Sequence, residues 1–492
     1  PEASPTEVWL AESLDAVVSI EVERYGKQHP VAIVSWPTLD PLEHDTEWDP
    51  VTGKKNRWND RASIMVEHLE MTDAMKAGIF AAYHIYPNYP DFIVNEPAYD
   101  AYRDQYGILR YGGYLQQFIK THKRYPALVA EFGMANGAGV AHLASDGLHH
   151  GGIDETTAGR DILRMLDAIE REGYAGGIIF EFMDEWAKKT WTTEPFKIPF
   201  DRRVFWHDAV DPEQNYGLIA NEPIPPEKPA LVLEGEGYLQ RLGMAHDASY
   251  LYLDLALKDP GLLDSHRILV GIDTYQRSSG QLEWPYGLGP AESGMEFLLE
   301  ITASSVTLRV IPSYNIANYR YATSLRRDGL FEDIEMLVNG KVVTKDGTII
   351  PEKRFNCSPL RKGAFDEAGN LWYLDGTTLR VRIPWGRLNV TDPSSLKVLH
   401  DTRVNIGSPG IDMLRTTTTD GIVVQALSLL RTNGQLDGRV RPNISNPYLW
   451  EGWETAPPYR ERIKKSYHIV RDRWLPLAER ERSMLLDHLS LR

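Results

Sequence analysis

The stretch Tyr125-Pro126-Ala127-Leu128-Val129-Ala130-Glu131-Phe132-Gly133 decides how the first part of this chain is read. Ala127 to Ala130 is a short apolar run, opened by a proline and closed near a glycine. That is the composition of a strand buried on both faces in a parallel sheet. The run ends on a carboxylate. Three further runs of the same character lie around it: Val31–Trp36, Gly78–His84 and Gly177–Phe182. Helical patterns separate them. Ser4-Pro5-Thr6-Glu7 places Ser at the N-cap, Pro at N1 and Glu at N3, and Leu14, Val18 and Val22 continue a helix to about Gln28. Further helices are expected over about 59–76 and 97–122. Another runs from an Asp154 cap, with Ile162, Met165 and Ile169 on one face, to Gly173.

Apolar strands alternating with helices predict parallel βαβ units, in a doubly wound sheet or a barrel. No glycine-rich phosphate fingerprint follows any of the strands, which counts against the dinucleotide-binding version. In a barrel the chemistry collects at the C-terminal strand ends. Here those ends carry Trp36 and Asp40, then Tyr83, His84 and Tyr86, then Glu131, then Asp184, Glu185 and Trp186. The expected fold class is therefore α/β plus all-β. Residues 1–222 form half of a (β/α) barrel, since only four of its eight strands are legible.

Pro223, Pro225, Pro226 and Pro229 mark a linker over 223–229. Beyond it the periodicity changes to alternating runs such as Tyr250–Leu255, His266–Asp273 and Leu379–Trp385, separated by turn residues. That pattern predicts an antiparallel β-sandwich over 230–435. A tail over 436–492 contains a helical stretch, with Ile463, Tyr467 and Val470 at core spacing, placed to pack back on the barrel half.

Composition narrows the function. Of 492 residues 42 % are apolar and 25 % charged, ordinary globular usage with room for two or three domains. Asp and Glu outnumber Lys and Arg, 69 to 53, for a formal charge of −16. This argues against nucleic acid or an anionic membrane as partner and is neutral towards an uncharged sugar. No apolar run approaches the roughly 18–20 residues of a membrane span, so no transmembrane segment is expected. Pro1-Glu2-Ala3-Ser4 shows no signal-peptide pattern. A lone cysteine, Cys357, rules out an internal disulfide and leaves the compartment open, with an extracytoplasmic or cell-surface setting slightly favoured. The 13 Trp and 24 Tyr are the suggestive feature, because amphipathic rings stack on sugars, although most such rings fill cores.

A strand-end carboxylate followed by Phe-Gly suits the nucleophile of a retaining glycosidase, which needs a rigidly held ionised carboxylate. The plainer reading of Glu131 is a structural ion pair at the rim. Residues 31–191 resemble strands five to eight of the large glycoside hydrolase clan with two glutamates on strands four and seven. Val129-Ala130-Glu131-Phe132-Gly133 is similar to its strand-seven nucleophile motif, Ala82-Tyr83-His84 to its strand six, and Gly177–Trp186 to its strand eight. The resemblance implies a glycoside hydrolase or transglycosylase acting on a polysaccharide. The strand-four Asn-Glu motif is not found before Trp36. The acid/base then comes from a complementary N-terminal half-barrel, most simply an upstream part of the same gene product, or is absent. Self-association of two halves, or strands hidden in apparent loops, are the other ways to close the barrel.

The candidate substrate contacts are Trp36, Asp40, Tyr83, His84, Tyr86, Asp184, Glu185, Trp186 and Trp191, each with core packing, a structural ion pair or a solvated loop as its bland alternative. No cluster has zinc-ligand spacing. The second domain resembles family 9-type carbohydrate-binding modules and related DOMON-like sandwiches. The similar stretches are His246–Leu253, Gly271–Thr274 and Arg380–Trp385. That resemblance implies sugar contacts, for which Trp284 and Tyr286 are the candidates, and a structural calcium, for which Asp247 and Asp273 are. No other cofactor is expected. The alternative to an enzyme is a non-catalytic carbohydrate-binding or scaffold protein with a degenerate barrel.

Overall fold

The computed structural model describes residues 3–49, 51–52, 54–55, 63–193, 199–317, 331–401 and 414–490. The N-terminal helix α1, Pro5–Tyr25, starts as its sequence dictates. Ser4 and Glu7 form a reciprocal capping box, and Gly26 ends the helix in the left-handed conformation at φ 61°. Four strands follow: β1 Val31–Ser35, β2 Ile79–His84, β3 Ala127–Phe132 and β4 Gly177–Ile179. They form one parallel sheet in sequence order. The helices α2, Arg110–Phe118, and α3, Glu155–Arg171, lie between them in sequence.

Two expected helices are corrected. Of 59–76, residues 59–62 lie outside the described residues; the rest holds a single 3-10 turn at Val66–His68. The stretch 97–122 is broken by a tight hairpin at 103–108, where Asp104 accepts hydrogen bonds from Tyr106 N (2.8 Å) and from the Arg164 side chain at 2.5 Å. An aspartate bound to its own backbone two residues on favours a turn over a helix.

The sheet is covered on one face only. Ile33, Ala81, Tyr83, Ala127, Val129 and Phe132 are buried against α2 and α3 in one core. On the other face Val34, Trp36, Ile178 and Phe182 are about half exposed or more, at 56, 46, 54 and 63 %. The expectation of strands buried on both faces is thus met on one.

The second core belongs to an eleven-stranded antiparallel sheet. One half pairs Leu231–Gly237, Leu239–His246, Tyr250–Leu257, Thr378–Pro384 and Trp372–Asp375. The other half carries His266–Asp273 between Phe297–Ile301 and Val423–Leu430, and Leu436–Val440 beyond the latter. Leu231–Gly237 serves both, pairing with Leu239–His246 through its first residues and with Leu436–Val440 through its last. The sheet folds over at this shared strand, so Leu242, Leu251 and Val381 share a core with Val270, Phe297 and Val424.

The proline-rich segment does not cleanly divide the two parts. Pro223 ends a strand, Ile219–Pro223, paired antiparallel with Tyr459–Ile463 near the C-terminus. Trp206, before the prolines, is buried in the second core. The tail returns to the first part, as its apolar spacing predicts. In the final helix, Lys465–Ser490, Tyr467 and Val470 pack into the first core, whereas Ile463 is in the preceding strand and exposed. A Cβ at Gly159 of α3 would meet Ser466 Cα at 2.9 Å, so glycine permits the close approach of the two helices.

One ion pair anchors this return. Lys464 Nζ lies 2.7 Å from Asp184 Oδ1 and donates to Asn136 Oδ1 at 3.1 Å and to the Asn215 carbonyl at 3.3 Å. Both charged side chains are 2 % exposed. Burial pushes Asp184 up to about 6 against the pull of Lys464. Lys464→Ala is expected to cost about 3–5 kcal/mol in urea denaturation, because it strands a buried carboxylate. Adding Asp184→Asn should recover a large part of that loss. A single variant as stable as the parent would contradict the anchor.

Candidate functional site

Glu131 faces the open side of the sheet because its strand carries one extra residue. Pairing of β3 with β2 steps from Tyr83↔Val129 to His84↔Glu131, and pairing with β4 from Gly177↔Val129 to Ile179↔Phe132. In regular alternation Glu131 would follow Ala127 and Val129 into the helix-side core. The bulge at Ala130–Glu131 turns Glu131 out and returns Phe132 to that core, where it is fully buried. Gly133 follows because β4 comes very close: a Cβ there would overlap the carbonyl oxygen of Phe180.

Tyr86 O–H donates to Glu131 Oε2 at 2.9 Å, and His84 Nδ1 lies 3.1 Å from the same oxygen. The second oxygen, Oε1, has no hydrogen bond among the described residues. The carboxylate is 29 % exposed and His84 33 %, so both meet solvent. Around them Tyr86, Phe180 and Tyr216 stand edge to face, with centroids 5.5–6.2 Å apart. Burial raises the phenols of Tyr86 and Tyr216 well above the usual tyrosine range, so both remain hydrogen-bond donors. Lys188 Nζ lies 4.6 Å from the centre of the Phe180 ring and 3.3 Å from Glu185.

Glu181, absent from the sequence-derived set, adjoins this group. Burial and the nearby Glu185 carboxylate push it up to about 8, and its buried Oε1 has no hydrogen-bond partner among the described residues. The strand expected over Gly177–Phe182 ends at Ile179, so Glu181 and Phe182 lie beyond it; the burial that makes Glu181 unusual is a tertiary effect with no sequence signal.

The other expected contacts divide by location. Trp36, His84, Tyr86, Glu185 and Trp191 lie at or near the strand-end surface. Asp40 and Tyr83 are committed to the interior: Asp40 accepts from Tyr114 O–H (2.9 Å) beside the buried His44, and Tyr83 O–H is 2.7 Å from His122 Nε2. Asp184 holds Lys464. Trp186 donates to the Asn221 carbonyl at 3.0 Å and packs on His207 and Tyr459, so its ring serves the junction with the C-terminal strand. In the second part, Trp284 is 6 % exposed in a small core, whereas Tyr286 is exposed, under Arg267 and against Glu300.

The two aspartates considered for calcium do not form a cage. Asp247 accepts from Ser249 N, Tyr250 N and Tyr252 O–H at 2.6–2.8 Å, which commits its oxygens to a turn. Asp273 lies against Glu296, and burial raises both carboxyls. Calcium takes six to eight oxygens. Among the described residues no group of three or more His, Cys, Asp and Glu is arranged for a metal ion, and no helix is long and apolar enough to cross a membrane.

Comparison with family models, with curated proteins and with solved structures finds no match. The resemblance drawn from the motifs therefore rests on those motifs alone.

Glu181 makes the fold pH-sensitive in a defined direction. Its folded pKa is raised from 4.5, so its contribution to stability is fully present below about 4.5 and is lost as pH rises through about 8. Glu181→Gln, neutral at every pH, should match the parent in thermal unfolding at about pH 4 and exceed it at about pH 9. Equal melting temperatures at both values would show that Glu181 is not held neutral.

Proposed function

We propose that this chain acts on carbohydrate as a retaining glycoside hydrolase or transglycosylase, with Glu131 as the nucleophile. The observation that carries the reading is Glu131 itself: turned out of the core by a bulge at a strand's C-terminal end, with one oxygen held by Tyr86 and the other without a partner. In such a reaction a carboxylate oxygen attacks the anomeric carbon as the bond to the leaving-group oxygen breaks and that oxygen takes a proton from an acid. Water, or an acceptor hydroxyl, then displaces the enzyme carboxylate. The Tyr86 hydrogen bond fixes the attacking group without neutralising it.

The acid/base is proposed to come from a complementary half-barrel. The uncovered sheet face, with Val34, Ile178 and Phe182 on it, supports that partner, as does α1, whose Trp9, Val17 and Ile20 are also about half exposed. Apolar surface of this kind calls for a partner. A second parallel β/α segment would cover the face and pair the edges of β1 and β4.

Glu131→Gln removes the nucleophile at almost constant volume. On a glycan that the parent cleaves, it should lower kcat by about three to six orders of magnitude with unfolding unchanged. Parental turnover in the Gln variant would overturn the assignment. Saccharide binding without cleavage by the parent, in the presence of its complementary half, would favour the non-catalytic reading.

A further inference from the structure

Each of the four strand-end loops contributes one ring to a continuous line. Trp36 follows β1, Tyr89 follows β2, His142 sits on a hairpin (Val140–His142 with His150–Gly151) after β3, and Trp191 follows β4. Trp36 and Tyr89 lie 5.9 Å apart, Tyr89 and His142 5.5 Å, and His142 and Trp191 6.1 Å, all in tilted arrangements. From His142 the line continues to Glu131. His142 stacks on His150 at 5.8 Å, His150 lies 5.7 Å from Tyr216, and Tyr216 lies 5.5 Å from Tyr86, which holds the carboxylate.

The strip is not an ordinary piece of core. Trp36 is 46 % exposed, and Tyr89, His142 and Trp191 are each partly exposed. It contains no charged member: burial and the adjacent His150 push His142 down to about 3, so its imidazole is neutral. His142 Nδ1 is buried and has no hydrogen-bond partner among the described residues. An unmade hydrogen bond in a buried position is costly, and a ligand hydroxyl would satisfy it.

We infer that Trp36, Tyr89, His142 and Trp191 form an extended subsite for a neutral oligosaccharide. Its ring faces lie on the aromatic side chains, a hydroxyl pairs with His142, and the chain runs towards Glu131. A sugar ring combines an apolar face with a hydroxylated edge, which aromatic rings and the imidazole of His142 can meet together. The inference rests on the carbohydrate reading of the site and extends it from one carboxylate to the loops of all four strands.

The test uses the full chain carrying Glu131→Gln, so binding is read without turnover. Cello-, xylo- and manno-tetraose are titrated against it, with calorimetry and tryptophan fluorescence as readouts. At least one tetraose should bind, and added Trp36→Ala or Trp191→Ala should each weaken it about tenfold. Added His142→Phe should weaken binding while keeping the ring. Trp474→Ala, exposed on the final helix, should leave binding unchanged. No binding by any of the three sugars overturns the subsite, as does binding unaffected by the Trp36 and Trp191 changes. Either result leaves the Glu131 assignment to be judged separately, by parental turnover.

Discussion

A strand in a sheet shows alternate side chains to opposite faces, and a single added residue exchanges those faces from that point on. In Ala127–Phe132 that residue is inserted at Ala130–Glu131, opposite both neighbouring strands at once. Several features hold it there. Phe132 needs the helix-side core, where it is fully buried, and Val129 needs the same core three positions earlier. Gly133 lets Phe180 close in directly afterwards. Two core residues an odd number of positions apart therefore force the carboxylate between them onto the open face, within reach of Tyr86 and His84. The contacts of Glu131 with Tyr86 and His84 follow from that one offset.

The second constraint is the return of the C-terminus. Lys464 is buried beside Asp184, and Arg462 reaches both Glu155 and Glu222, at 2.5 and 2.8 Å. Removing either partner from a buried pair leaves an uncompensated charge, so such contacts fix position more than they add stability. They hold Ile219–Pro223 and the final helix against the parallel sheet. Direct contacts link the two cores as well, among them Arg387 to the Ala138 carbonyl and His207 to Ser249. The segment following Glu131 is thus contacted at Asn136 by Lys464 and at Ala138 by Arg387.

Much of this arrangement was legible in the sequence. The capping box at Ser4, the apolar runs at 31, 79 and 127, and the alternation at 250, 266 and 379 are local patterns, and the structure follows them closely. Glu131 could be singled out because it ends such a run. The bulge beneath it could not, since Val129-Ala130-Glu131-Phe132 has no mark of irregular pairing; the offset emerges only when two neighbouring strands and a helix layer compete. Asp40, Tyr83 and Asp184 are polar residues at strand ends, which reads as function, but each has a partner supplied by a distant segment. Trp284 stands in a glycine-rich loop, which reads as surface, yet it fills a small core with Leu269 and Met295. Conversely, Tyr89 and His142 gave no sequence signal, because their meaning lies in a line of rings assembled from four loops.

The central claim is that Glu131 forms a covalent glycosyl intermediate. A 2-deoxy-2-fluoro glycoside with a good leaving group slows breakdown of such an intermediate and allows it to be weighed. Incubated with the chain together with the proposed complementary half-barrel, it should add the mass of one fluoroglycosyl group, and peptide mapping should place that group on Glu131. A label on another carboxylate, or turnover of the reagent with no labelled peptide at any time, would contradict the account.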